Sequence, residues 1–305
     1  MKVNKALILS IFLLATATGY AQISLKTEYL GKSSYWLEKK NKEPRERVGN
    51  AEGSAMVYQG SLNIPLSLKE NKDKKPIVWG LGLSGSYVSL KNENFTEDLV
   101  ISEILNVDVG IYHKRPISQN WTLMASAGVG IYAATTDLSE IGKKNILGSV
   151  SSIFIYRVNP NLELGAGLAI NSTFGYPMAF PALYVNWNLQ GKLDFKLAMT
   201  NGLSVSAGYQ VNKFLKLSLI GEMNGQMALL EKDNKDVMFS HLYIVSGLRA
   251  EIKLGNKVSI PFTAGINAIR PTTFSDRTLQ GMFKSKDSYY FQVSPYLSTG
   301  ITVKF

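Results

Sequence analysis

The sequence predicts an all-β protein: a single antiparallel, up-and-down transmembrane β-barrel of about fourteen strands, with twelve as the alternative count. Three observations predict it. Stretches of roughly ten residues alternate apolar with polar or small side chains, as barrel strands do. The connections between them are alternately short and long, and aromatic residues gather where the stretches end. A soluble sandwich also alternates. Here, however, Asp108, Glu163, Asp194, Glu222 and Arg249 sit mid-strand, opposite the apolar stripe and among Gly and Ser, which suits a polar lumen inside a lipid-facing wall.

The N-terminus begins with Lys2 and Lys5, then the apolar run Ala6 to Ala17, long enough for the core of an export signal and too short to span a bilayer. Small residues at Gly19 and Ala21 place cleavage between Ala21 and Gln22. Residues 1–21 are therefore expected to be a removed signal and 22–305 the barrel. Strands are expected to begin near Gln22, Gly53, Ile77, Val100, Trp121, Asn145, Leu162, Ala179, Lys192, Leu203, Phe214, Met238, Lys257 and Ser288. The outward set includes Ile77, Trp79, Leu81, Leu83 and Tyr87 in the third strand, and Leu242, Ile244, Leu248, Ala250, Ile252 and Leu254 in the twelfth. The pair 192–200 and 203–211 is the reason for the alternative count, because its "TNG" connection is short yet falls on the side of the long loops.

Short connections lie near 115–120, 159–161, 190–191, 212–213 and 255–257, rich in the Asn, Gly and Pro that turns need. Long ones lie near 36–52, 91–99, 135–145, 171–179, 229–237 and 270–288. Placing Phe305 at the periplasmic end sends every one of those short turns to the periplasm and every long loop outside. Trp79, Trp121, Trp187, Phe214 and Phe305 then form one aromatic girdle, with Tyr87, Tyr132, Phe239, Tyr289 and Tyr290 in the other.

Composition narrows the function classes. There are no cysteines, hence no disulfides, and no later apolar window long enough for a membrane helix. A chain of mean hydropathy +0.00 must be a barrel or not a membrane protein at all. The formal charge of +10, reduced by two on loss of Lys2 and Lys5, suits anionic surroundings such as lipopolysaccharide; export argues against nucleic acid as a partner.

Catalytic and metal chemistry find little support. His113 shares the outward parity of Val107, Val109 and Ile111 and reads as a girdle or headgroup contact. His241 has lumen parity, but the adjacent Ser240 must point to the opposite face, so the two cannot form a dyad. Glu231 to Asp236 lacks calcium-loop spacing, and Gly80 to Gly85 lies within a strand and does not open a phosphate-binding helix. No enzyme activity, cofactor or metal is expected. The basic stretch Glu38 to Asn50 reads as a solvated outer loop, or as a contact for lipid A phosphates. Gly175, Tyr176, Pro177 and Pro181 are candidates for an inward loop that narrows the lumen. Lys192, Asp194, Lys196, Glu222, Arg249, Glu251 and Lys253 are the candidate lumen-lining charges.

The final strand, "YLSTGITVKF", resembles the C-terminal signal of bacterial outer-membrane proteins, which ends in an aromatic residue with apolar residues at alternate positions before it. That resemblance implies that the outer-membrane insertion machinery reads Leu297, Ile301, Val303 and Phe305; Thr299 is the departure from the pattern. Asn171 to Trp187, His113 to Ser118 and Thr27 to Trp36, over most of the mature chain, resemble a family of Bacteroidota outer-membrane barrels of unknown function. The family implies an outer-membrane location among lipid and lipopolysaccharide and no established activity. Three functions are weighed: a channel or transport barrel for small polar or anionic solutes, a closed structural or surface-interaction barrel with a plugged lumen, and, last, a barrel acting on lipid. The fold alone does not choose among them.

Overall fold

A computed structural model describes residues 21–39, 44–96, 98–173, 177–189, 191–199, 202–278 and 287–305. Among them the strands are β1 (Gln22–Glu38), β2 (Glu46–Glu70), β3 (Pro76–Glu93), β4 (Glu103–Pro116), β5 (Trp121–Ala133), β6 (Ile146–Asn159) and β7 (Leu162–Asn171). They continue as β8 (Met178–Leu189), β9 (Leu193–Met199), β10 (Leu203–Gln210), β11 (Leu215–Lys232), β12 (Lys235–Leu254) and β13 (Val258–Asp276). The last, β14, runs as Ser288–Phe291 and, after a break, Ser294–Lys304; both segments lie between β13 and β1. One 3₁₀ turn, Lys143–Asn145, precedes β6.

Every strand pairs antiparallel with its sequence neighbours, and β14 returns to β1 through Gln22↔Lys304, Leu30↔Tyr296 and Trp36↔Tyr290. Closure removes the sheet's terminal edges, as a spanning barrel requires. Fourteen strands, not twelve, form the wall. One end, here the turn end, carries Phe305, whose amide donates to the Ala21 carbonyl (2.9 Å), and the short connections. The other is the loop end.

The two-residue period separates the faces as expected. Leu25, Val107, Val129, Leu168, Leu183, Leu219 and Leu248 are exposed on the outside. At the turn end the outer face carries Trp79 stacked on His113 (4.2 Å), Trp121 against Tyr156 (5.0 Å) and Trp187 against Phe195 (5.1 Å). Toward the loop end Tyr58 stacks on Tyr87 (6.2 Å), and above them Lys32 pairs with Glu52 (2.8 Å) and Glu93 (2.7 Å). Outward charges here end the apolar belt, so β1, β2 and β3 project beyond it. Bonds from Glu52 and Glu93 hold the Lys32 ammonium above its ordinary value, and Lys32 holds the Glu52 carboxyl below its own.

Several expectations are corrected. Tyr132, Phe239 and Tyr289 do not join the outer girdle. Tyr132 donates inside to Asp108, Phe239 is fully buried, and Tyr289 stacks on buried Tyr35 (5.8 Å). The expected long connection at 229–237 is a tight hairpin, because β11 and β12 pair as far as Lys232↔Lys235. Asp233 and Asn234 turn the chain with φ of +53 and +57, the conformation of a two-residue turn that favours Asn and Asp. The 36–52 connection also shortens, since β1 runs to Glu38 and β2 starts at Glu46.

The wall is uneven. At ~3.3 Å per residue, β2, with 25 residues, is more than three times as long as β9, with 7. The strand β8 pairs with β9 only over Asn186–Leu189, so Met178–Val185 has no neighbour on that side among the described residues. Likewise β11 pairs with β10 only up to Met223, leaving Asn224–Lys232 without it. The barrel thus has a tall side, β11 to β14 and β1 to β4, and a low side centred on the β9–β10 hairpin.

Candidate functional site

The interior is the candidate site, and the free edge of β11 shapes it. Above Met223 that edge crosses the interior to the opposite wall. The Asn106 amide of β4 donates to the Met227 carbonyl (2.6 Å) and accepts from the Met227 N–H (3.4 Å). Asn145, at the 3₁₀ turn, donates to the Leu229 carbonyl (2.6 Å). A primary amide carries the same donor and acceptor as a peptide group, so these side chains replace the missing strand. Above them Arg277 donates to the carbonyls of Thr173 (2.9 Å), Lys144 (3.0 Å) and Ser172 (3.3 Å).

This seam encloses a dry plug on the tall side. Leu30, Val57, Val88, Ile104, Phe239, Tyr243, Val245 and Tyr296 pack into one buried cluster. Nearer the loop end Tyr35 and Phe291 pack at 4.7 Å. Within the plug Glu28 is 0 % exposed and accepts from Tyr296 (2.6 Å), Tyr243 (2.8 Å) and Gln59 (3.1 Å), and it pairs with Lys26 (2.8 Å). Lys26 reaches Glu222 (3.4 Å), which Arg249 also holds (2.7 Å), and Arg249 donates to Thr263 (3.0 Å). Two cations and two carboxylates alternate, so the charges compensate one another.

Beneath the plug lies a polar cavity of about 590 Å³, lined by Ser24, Lys26, Ser61, Ser86, Asp108 and Gln226 among others. At the turn end, inward positions carry Lys114, Arg157, Lys196, Lys216, Lys253 and Lys304 against Glu163, Asp194 and Glu251. Cations are in excess at this mouth. Some are paired: Lys216 with Asp194, Arg157 with Glu163 (3.3 Å), and Lys253 donates to Gln210 (2.9 Å).

Of the charges singled out from sequence, the structure joins Glu222 to Arg249 directly. Asp194 instead meets Lys216. Lys196 and Glu251 lie on the inward face, and Lys192 sits in the bend before β9, where its carbonyl accepts from Gln210 (2.9 Å). Pro181 lies within β8 in register with Leu168, on the outward face, so it cannot narrow the lumen. Its strand lacks a neighbour on one side, which suits a residue without an N–H. Pro177 is exposed in the connection before β8, and Gly175 and Tyr176 fall outside the described residues.

Lys26, Glu28, Tyr243, Tyr296, Asn106 and Asn145 are functional neighbours that sequence reading missed. Lys26 and Glu28 share the inward parity that identified Asp194, so the same rule could have found them. His241 is fully buried, with Nδ1 3.3 Å from Gln226 Oε1, while Ser240 faces away. No group of three or more His, Cys, Asp or Glu among the described residues could hold a metal ion.

Solved structures with the same kind of wall are outer-membrane barrels. An outer-membrane channel from Pseudomonas putida F1 is 9% identical, with a TM-score of 0.46 over 94% of this chain and 96% of that one. The translocator domain of the autotransporter NalP from Neisseria meningitidis is 10% identical, with a TM-score of 0.35 over 99% and 95%. The Pseudomonas putida toluene transporter TodX is 9% identical, with a TM-score of 0.33 over 97% and 93%. No curated protein matches the chain. Residues 17–304 match the family described as Domain of unknown function (DUF6268), and the chain belongs to that family.

Proposed function

We propose that this is a transport barrel of the outer membrane that passes small anionic or polar solutes along the low side of its lumen. The excess of inward-facing cations over carboxylates at the turn-end mouth carries the reading, since a mouth of net positive charge concentrates solutes of the opposite sign. The low side supports it: Ser149, Ser151, Gly165, Gly167, Ala169 and Ala182 face inward there, small side chains that leave room beside the plug. In this reading residues 1–21 are the export signal, cleaved before Gln22, and the insertion machinery reads Leu297, Ile301, Val303 and Phe305. Leu297 and Ile301 are exposed on the outer face of β14, and Val303 stands in register with Ile23.

The dry plug favours a second reading, a closed barrel whose interior is structural. Planar-bilayer recording of the refolded protein separates the two. Transport predicts steady, anion-preferring current that Ser149→Trp reduces severalfold, because Ser149 is exposed on the inward face of β6. Silence at every voltage, with no solute flux into liposomes, selects the closed form. Lys196→Glu should weaken the anion preference without closing the pore.

A further inference from the structure

We propose that Arg270 binds a small monovalent anion, of the size of chloride, inside the loop-end half of the plug. Arg270 lies inward on β13 and is 0 % exposed. Its Nη2 donates to the Gly53 carbonyl (2.8 Å), while Nε and Nη1 have no acceptor. Phe291 covers one face of the guanidinium, with Cζ 3.8 Å from the ring centroid. No described carboxylate is paired with it. The acids of the plug, Glu28 and Glu222, are already matched by Lys26 and Arg249.

A buried guanidinium with one hydrogen bond retains most of its desolvation cost, and one aromatic face offsets only part of it. The chemistry that compensates it is a negative charge accepting from the two idle nitrogens. Size follows from the packing. A Cβ on Gly53 would come within 2.6 Å of the Phe291 ring, and Thr272 is committed to Tyr35, its hydroxyl donating at 3.1 Å. Such packing excludes an organic acid or a phosphate ester and limits the proposed guest to a single atom. This site lies within the sealed side and does not depend on the barrel conducting.

The test uses the full refolded chain in detergent. The unfolding midpoint is measured at constant ionic strength and constant cation while gluconate is replaced by chloride or bromide. The expected result is a saturable rise in midpoint with the small anions that Arg270→Met, which keeps the stem over Phe291, abolishes. An equal rise in Arg270→Met would be a general salt effect and overturns the proposal, as does a midpoint indifferent to the anion. Crystals grown in bromide give a reading that needs no variant. Anomalous density within hydrogen-bond reach of Arg270 Nε or Nη1 supports the site. Density without anomalous signal there means that water bridges Arg270 to its neighbours, and the proposal fails.

Discussion

Glu28 shows how one side chain organises the plug. Its carboxylate gathers Tyr243, Tyr296, Gln59 and Lys26 from four strands while having no contact with solvent. Glu28→Ala leaves Lys26 with Glu222 alone and takes the Glu28 acceptor from two phenol hydroxyls, and it is expected to cost about 3–5 kcal/mol, the cost of breaking a buried pair. Urea titration of the refolded barrel measures it, and Glu28→Gln should lose less because the amide oxygen still accepts. Asn106 is a second case. Removing its amide in Asn106→Ala leaves the Met227 peptide group without that partner, at about 1–3 kcal/mol. Hydrogen exchange should accelerate over 224–235 and stay unchanged in β2 and β3. Both residues announce their inward direction by parity. Their distant partners, Tyr243 and Tyr296 for Glu28 and Met227 for Asn106, lie more than a hundred positions away and are set by how the wall curves, and alternation says nothing about that.

At the scale of elements most strand starts were legible to within a residue, because the apolar belt writes a period of two into each strand; β2, β4 and β12 start at Glu46, Glu103 and Lys235, away from the expected Gly53, Val100 and Met238. The hairpin at Asp233 and Asn234 was not. "EKDNKD" is polar throughout, and a polar run reads as a loop; beyond the belt, however, both faces of a strand can be polar. The pairing Glu231↔Asp236 and Lys232↔Lys235 shows strands continuing where the pattern has ended. The turn's positive φ values give a direct check. Asn234→Gly should leave the midpoint unchanged or raise it, whereas Asn234→Val forces a β-branched residue into the left-handed region and should cost about 1–2 kcal/mol. The constriction expected from Gly175 to Pro181 failed at Pro181 for a related reason. Pro181 was expected in an inward-folded loop, but a strand lacking one neighbour accommodates a residue without an N–H equally well.

For the molecule as a whole, closure was legible because the first and last segments are both alternating strands, and a spanning sheet tolerates no loose edge. The division of the interior was not. It depends on β9 and β10 ending early and on the upper part of β11 leaning across to β4, and neither leaves a mark in composition. The basic mouth was a third visible, since Lys196 and Lys253 were recognised as lumen-lining while Lys114, Arg157, Lys216 and Lys304 were not. Their convergence follows from register around the ring.

The low hairpin has a consequence for the surrounding lipid. With 7 residues tilted as barrel strands are, β9 rises about 18 Å, short of the roughly 25 Å that outer-membrane barrels present to hydrocarbon. The bilayer is expected to thin on that flank alone, drawing headgroups and water toward β8 at Met178–Val185, which has no strand on its β9 side among the described residues. A one-sided pinch of this kind rewards acyl chains that are already short. The unfolding midpoint in vesicles should therefore be higher in short-chain than in long-chain phosphatidylcholine, and that difference should shrink in a variant whose β9–β10 hairpin is lengthened by two residues on each arm.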